Sequence, residues 1–206
     1  MTEVTIQGEA GSFSHDAAMA WFGPRVAIRT CTTFPAVFEA LAEGRAERAV
    51  VPVENTVVGP IREVVALLAR AAARRAGEMR LRVDHCLIVA RETPGGGGIN
   101  GSNGRAGRAG QGIHRVASHP MALAQCAAFL RAHPGWEQVE TLDTAGAVRA
   151  LAEGRLAADA VIASRRAAER YGCRVLREAV QDEAVNFTTF VVLESRDRRL
   201  ATRNRG

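Results

Sequence analysis

Lysine is absent from the 206 residues, so all 27 basic side chains are arginine. Against 22 acidic residues they leave a formal net charge of +5, a balance that raises nucleic acid as a partner. Aromatics are too few to support that reading: seven Phe, two Trp and one Tyr offer little for bases to stack on. The arginines mostly stand singly in helical segments, as in Ala66-Leu67-Leu68-Ala69-Arg70. They read as solvated helix faces, and no nucleic-acid partner is expected. Long apolar runs are also missing; none reaches the ~18 residues of a membrane span. The first residues carry Glu3 and no basic-then-apolar pattern of a secretory signal. The expected location is the cytoplasm, with no membrane partner. Cysteine is sparse, at 31, 86, 126 and 173, without a C-x-x-C pair or a His spacing that completes a zinc site. No metal is expected, and the thiols read as small buried apolar groups. G-x-G-x-x-G, G-K-[ST], G-x-S-x-G and H-E-x-x-H are all lacking, which removes the common signatures of nucleotide binding, serine hydrolysis and zinc proteolysis. No cofactor is expected.

What is present is ordinary globular composition, 47% hydrophobic and 24% charged. Short β-branched runs alternate with Ala/Leu-rich helical runs. Strands are expected at 4–7, 25–30, 49–53, 82–90, 113–117, 137–142, 158–162, 175–179 and 187–194. Helices are expected at 15–22, 34–43, 61–75, 120–132, 144–153 and 164–171. Residues 94–112 hold nine glycines in nineteen positions and read as a flexible loop; 195–206 read as a frayed tail. Strand–helix alternation predicts an α/β fold with mainly parallel sheets. The break near 80–112 predicts two α/β lobes with a cleft between them. Lobe 1 is 1–80 plus 180–206, and lobe 2 is 81–179. Ligands of open α/β sheets bind outside the carboxyl ends of strands.

Several expected strand ends run into helix starts that carry hydroxyl or acidic residues. They are Ser12 and Ser14 after the first strand, Glu54-Asn55-Thr56 after the third, Ser118-His119-Pro120, and Asp143-Thr144. Each is an ordinary cap when taken alone. Together, at one side of α/β units, they suit carboxylates or phosphates, because helix N-termini offer free N–H groups and a positive dipole end.

Six blocks of sequence carry a family resemblance. They are 8–14, 51–59 (containing Pro52-Val53-Glu54-Asn55-Thr56), 118–126 (Ser118-His119-Pro120-Met121-Ala122-Leu123-Ala124-Gln125-Cys126), Asp143-Thr144-Ala145, 163–172, and Asn186-Phe187-Thr188-Thr189-Phe190. In that order they resemble prephenate dehydratases over nearly the whole chain. The resemblance implies two α/β lobes similar to type II periplasmic binding proteins, with the active site in the cleft. Three departures stand out. The family's last motif has Arg where this chain has Thr189, residues 94–112 look inserted, and no regulatory ACT domain is expected after residue 194.

The implied reaction is the decarboxylating dehydration of prephenate to phenylpyruvate in phenylalanine biosynthesis, with arogenate as a further substrate. The implied site has Thr188, Glu54, Asn55 and Thr56 in catalytic roles. Ser12, Phe13, Ser14, Ser118, His119, Asp143, Thr144, Thr189 and Phe190 are implied substrate contacts. Threonine is a poor acid, so Thr188 is read as a hydrogen-bond donor or relay at the leaving hydroxyl. By residue type alone, Thr188 is a half-buried strand residue, and Phe13 and Phe190 are core. The resemblance also implies a small-molecule substrate, a carbon–oxygen lyase and a homodimer. Thr189 keeps three alternatives open: decarboxylation without aromatisation, a non-catalytic acid-binding or signalling role, and a hydrolase on the same cleft.

Overall fold

The computed structural model describes residues 3–91 and 112–195. The expected flexible loop and frayed tail lie outside the described residues, apart from Gly112 and Ser195. The chain divides into two compact units, 1–83 with 185–206, and 84–184.

The first unit begins with β1 (Glu3–Gln7), α1 (Phe13–Phe22), β2 (Ala27–Cys31), α2 (Phe34–Ala42) and β3 (Arg48–Asn55). These are βαβ steps, and β1 pairs in parallel with both β2 and β3. Then come the two-residue β4 (Gly59–Pro60), α3 (Arg62–Arg70) and β5 (Ala73–Arg82). The chain passes through the second unit and returns as β11 (Phe187–Ser195), which inserts antiparallel between β3 and β5. The sheet order is β2-β1-β3-β11-β5, with β4 attached to β3. One face packs on α1 through Val4, Ile6, Ala17, Val50, Phe190 and Val192. The other packs on α2 and α3 through Val37, Leu41, Val51, Val64, Val191 and Leu193.

The second unit holds β6 (Cys86–Val89), β7 (Arg115–Ser118), α4 (Pro120–Gln125), α5 (Ala127–Arg131), β8 (Glu137–Glu140), α6 (Thr144–Ala152), β9 (Ala160–Ala163), α7 (Arg165–Tyr171) and β10 (Arg174–Arg177). Its sheet order is β10-β6-β9-β7-β8. The pairs β7–β8 and β7–β9 are parallel, whereas β6 pairs antiparallel with β9 and β10.

Both sheets are therefore mixed, which corrects the expectation of mainly parallel pairing. The cause in the first unit is the returning strand β11, which enters without a helical crossover and so runs against its neighbours. A second correction concerns 61–75. The helix stops at Arg70, and the run Ala73–Arg82 is strand. Its Ala-Arg composition favours helix, but pairing with β11 from Ser195↔Ala73 to Phe187↔Arg82 outweighs that preference. Gly77 in this strand lies under Trp21 of α1, where a Cβ would come within 2.2 Å of the indole. A third correction is the split of helix 120–132 at Cys126, whose ψ of 24° leaves the helical range. The Asp182 carboxylate accepts from Ala128 N at 2.9 Å and starts α5 afresh.

Candidate active site

In the first unit the carboxyl ends of β1, β3 and β5 and the start of β11 lie at one end of the sheet, as the pairing registers require. That end holds most of the nominated residues. A β-bulge decides how they meet. Thr189 pairs with Glu54 and Phe190 with Pro52, so Val53 is an extra residue in β3. Pro52 has no N–H to give, which suits it to a bulge. The extra residue shifts the alternation by one and brings Asn55 to the α1 face, the face of Phe190 and Thr188. Without it, Asn55 would point to the α2/α3 side.

Asn55 is buried and spends every polar atom. Its Oδ1 accepts from Val57 N at 2.9 Å and Val58 N at 3.1 Å, closing the turn into β4. That fixes the amide, because a flipped side chain would set its NH₂ against two N–H donors. Its Nδ2 then donates to Asn186 Oδ1 at 2.8 Å, Thr188 Oγ1 at 2.9 Å and Phe187 O at 3.2 Å. Thr188 is 7% exposed and Asn186 is 1% exposed. Thr188 Oγ1 is thus an acceptor toward Asn55. Its own hydrogen has no acceptor among the described residues. The geometry yields a rigidly held hydroxyl with one donor hydrogen to offer.

The neighbouring residues have different assignments. Thr56 Oγ1 donates to Val185 O at 3.2 Å and accepts from Phe187 N at 3.0 Å, so its hydroxyl clamps the start of β11. Glu54 is exposed, in register with Thr189 on the opposite face from Asn55 and Thr188. Ser12 caps α1, its Oγ accepting from His15 N at 3.4 Å. Ser14 is buried in the first turn of α1, and Phe13 packs on the α1-side core. Phe190 is 1% exposed inside that core, which corrects its nomination as a substrate contact: it packs.

The second unit positions its nominated residues at the carboxyl ends of the parallel strands β7 and β8. Ser118 is fully buried and donates from Oγ to Ile162 O. His119 is the cap of α4, its Nδ1 accepting from Met121 N at 3.2 Å. Asp143 caps α6 by accepting from Gly146 N at 2.7 Å, and Thr144 is the first residue of that helix. Ser164 caps α7 from the end of β9 in the same manner.

Three residues escaped nomination. Asn186 opens the last family motif, and its amide oxygen accepts from Asn55 Nδ2 and completes the Asn55 network. His15 follows the Ser12 cap by three residues, and its Nδ1 accepts from Gly11 N at 2.9 Å, holding the loop before α1. His85 is 3% exposed, with Nε2 2.8 Å from Gln125 Oε1; burial pushes its imidazole below the usual value, against the opposing effects of Gln125 and Asp84. Burial also pushes the thiols of Cys86 and Cys173 up, and that of Cys126 to about 12. None of these three offers a thiolate nucleophile at neutral pH. Among the described residues no group of three or more His, Cys, Asp or Glu side chains is placed to hold a metal ion. No helix there is long and apolar enough to cross a membrane.

The family model for prephenate dehydratase matches residues 4–198. This chain belongs to the prephenate dehydratase family. Among curated relatives, the bifunctional chorismate mutase/prephenate dehydratase of Escherichia coli K12 is 32% identical over 92% of this chain and 46% of its own length. Arogenate dehydratase 1 of Petunia hybrida is 37% identical over 92% of this chain and 41% of its own length. The chain thus spans less than half the length of these two relatives. Among solved structures, GqqA, described as a novel type of quorum quenching acylase, superposes with a TM-score of 0.75 at 31% identity, over 94% of this chain and 64% of that one. The prephenate dehydratase of Arthrobacter aurescens in complex with L-Phe gives a TM-score of 0.79 at 24% identity, over 94% and 60%, and shows the shared fold.

Proposed function

We propose that this chain catalyses the decarboxylating dehydration of prephenate to phenylpyruvate, a step of aromatic amino-acid biosynthesis, with arogenate as a second substrate. The observation that carries the reading is the Asn55–Thr188 contact. Asn55 donates to Thr188 at 2.9 Å, so the Thr188 hydrogen is left to point at a departing oxygen. In the reaction the bond from the ring to its carboxylate breaks and carbon dioxide leaves. The electron pair enters the ring, the ring C–O bond breaks, and the hydroxyl departs as water, its added proton drawn from solvent through the Thr188 hydroxyl. Aromatisation supplies the driving force. The protein's part is a preorganised donor where negative charge develops, and Thr188 is in that role. Asn55 positions it. Glu54 belongs to the same sheet end, and Ser12, Ser118, His119, Asp143 and Thr144 belong to helix starts suited to anions. The four cysteines are free, which fits a reducing cytoplasm. A homodimer is part of the proposal and is checked by light scattering.

The likeness to GqqA favours a second reading, hydrolysis of an acylated signal. The deciding experiment incubates the protein with prephenate at neutral pH and identifies the product. Phenylpyruvate supports the proposal. A non-aromatic keto acid would mean decarboxylation alone. Unchanged prephenate, with fatty acid released from an N-acyl signal, would move the assignment to an acylase.

A further inference from the structure

The substrate of the proposed reaction is a dicarboxylate, and the Asn55–Thr188 network supplies no positive charge. We propose that Arg80 is the cation that anchors one of those carboxylates, an inference that rests on the dehydratase reading.

The sheet register brings Glu54, Thr189 and Arg80 into one row across β3, β11 and β5, next along the strands to the row Asn55, Thr188 and Leu81, whose side chains point to the other face. Arg80 is exposed. Its Cα partner is Thr189, yet its guanidinium lies over the Phe187 ring at 5.0 Å from the centroid. Phe187 is two residues nearer the end of the sheet, about 6–7 Å along the strand. The side chain therefore leans toward the end that holds Thr188, and the ring beneath it limits where the cation can go. Two other arginines of β5 have acidic partners: Arg74 pairs with Glu194 and Arg75 with Glu78. Arg80 has no ion pair among the described residues. Thr189, its neighbour in the row, brings a hydroxyl and no charge. Glu54 lies two strands away, about 10 Å between Cα atoms, and its negative charge turns a carboxylate toward Arg80. A guanidinium with its fork unspent, rising from the opposite face but leaning to the same sheet end as the Thr188 donor, is suited to a carboxylate that reaches round that end.

The test measures steady-state constants with prephenate for Arg80→Ala, Arg80→Lys, Arg75→Ala and the double variant Arg80→Ala/Thr189→Arg. Arg80→Ala is expected to raise KM by roughly 10–100-fold, the size of a lost charge-assisted contact, with kcat changed far less. Arg80→Lys falls between Arg80→Ala and wild type, because the point charge remains and the fork is lost. Arg75→Ala removes the same charge from the same strand and leaves KM unaltered. The double variant recovers part of the loss, since Thr189→Arg returns a guanidinium one strand over. An unchanged KM in Arg80→Ala, or an equal rise in Arg75→Ala, overturns the proposal. If wild type makes no phenylpyruvate, the dehydratase reading fails by itself. Calorimetric binding of prephenate then tests Arg80 separately: weaker binding in Arg80→Ala supports the anchor, and equal binding overturns it.

Discussion

β11 meets the same two strands at both of its ends and treats polar groups differently at each. At its last residues Glu194 lies between Arg48 and Arg74 and pairs with both, so its carboxylate is fully engaged there. At its first residues Asn55, Asn186 and Thr188 form a buried network that saturates every amide atom of Asn55 but leaves the Thr188 hydrogen without an acceptor among the described residues, while Arg80, at the same sheet end on the other face, has no ion pair among them. Charged partners at the Glu194 end serve stability. Donors without partners among the described residues, at the Thr188 end, are what a ligand needs.

Thr188→Ala is the harshest way to break this comparison. It is expected to lower kcat by roughly 10²–10⁴-fold while circular dichroism stays unchanged, because a donor used chiefly in the transition state affects turnover more than folding. Thr189→Ala, one residue along and on the opposite face, is expected to cost about tenfold or less, as loss of a partly exposed hydroxyl contributes ~1 kcal/mol. At the far end Glu194→Gln is expected to lower stability by about 1 kcal/mol in urea titrations and leave kcat alone, since its partners are partly solvated. The smallest effect concerns His85. Its folded-state pKa is depressed by burial, so the unfolded chain binds more protons below about pH 6.5. Stability should be level above that pH and decline as pH falls toward the folded value. Urea midpoints from pH 7.5 to 5.5 check this, and His85→Leu should remove the slope.

Much of the layout was legible in the residues. The β-branched runs of β1 to β3 and the caps Ser12 and Asp143 follow local rules of strand preference and helix capping, and the structure has them there. What was not legible depends on distant partners. Nothing local makes Ala73-Arg74-Arg75 a strand; β11 does, more than a hundred residues later. The bulge at Val53 is a one-residue re-registration that only the paired strand defines. The split at Cys126 depends on Asp182. For the site, family motifs pointed to Asn55 and Thr188 but not to their contact, nor to the direction in which its hydrogen runs. The resemblance implies a catalytic Thr56 and a substrate-contacting Phe190; in the structure the Thr56 hydroxyl clamps β11 and Phe190 packs in the core. Residue type alone does not separate a hydroxyl that is committed from one that is available.

The central claim is that Asn55 donates to Thr188 and so frees the Thr188 hydrogen. Asn55→Asp tests it most directly. The carboxylate still accepts from Val57 N and Val58 N, so the turn and the fold are kept. It has no hydrogen to give, and the Thr188 hydroxyl turns to donate to it. The measurement is kcat for prephenate with a thermal melt on the same sample. A fall of about 10²-fold or more with an intact cooperative melt is expected, the size of a lost preorganised donor. Turnover within about threefold of wild type, where 1.4 kcal/mol is tenfold, would contradict the claim.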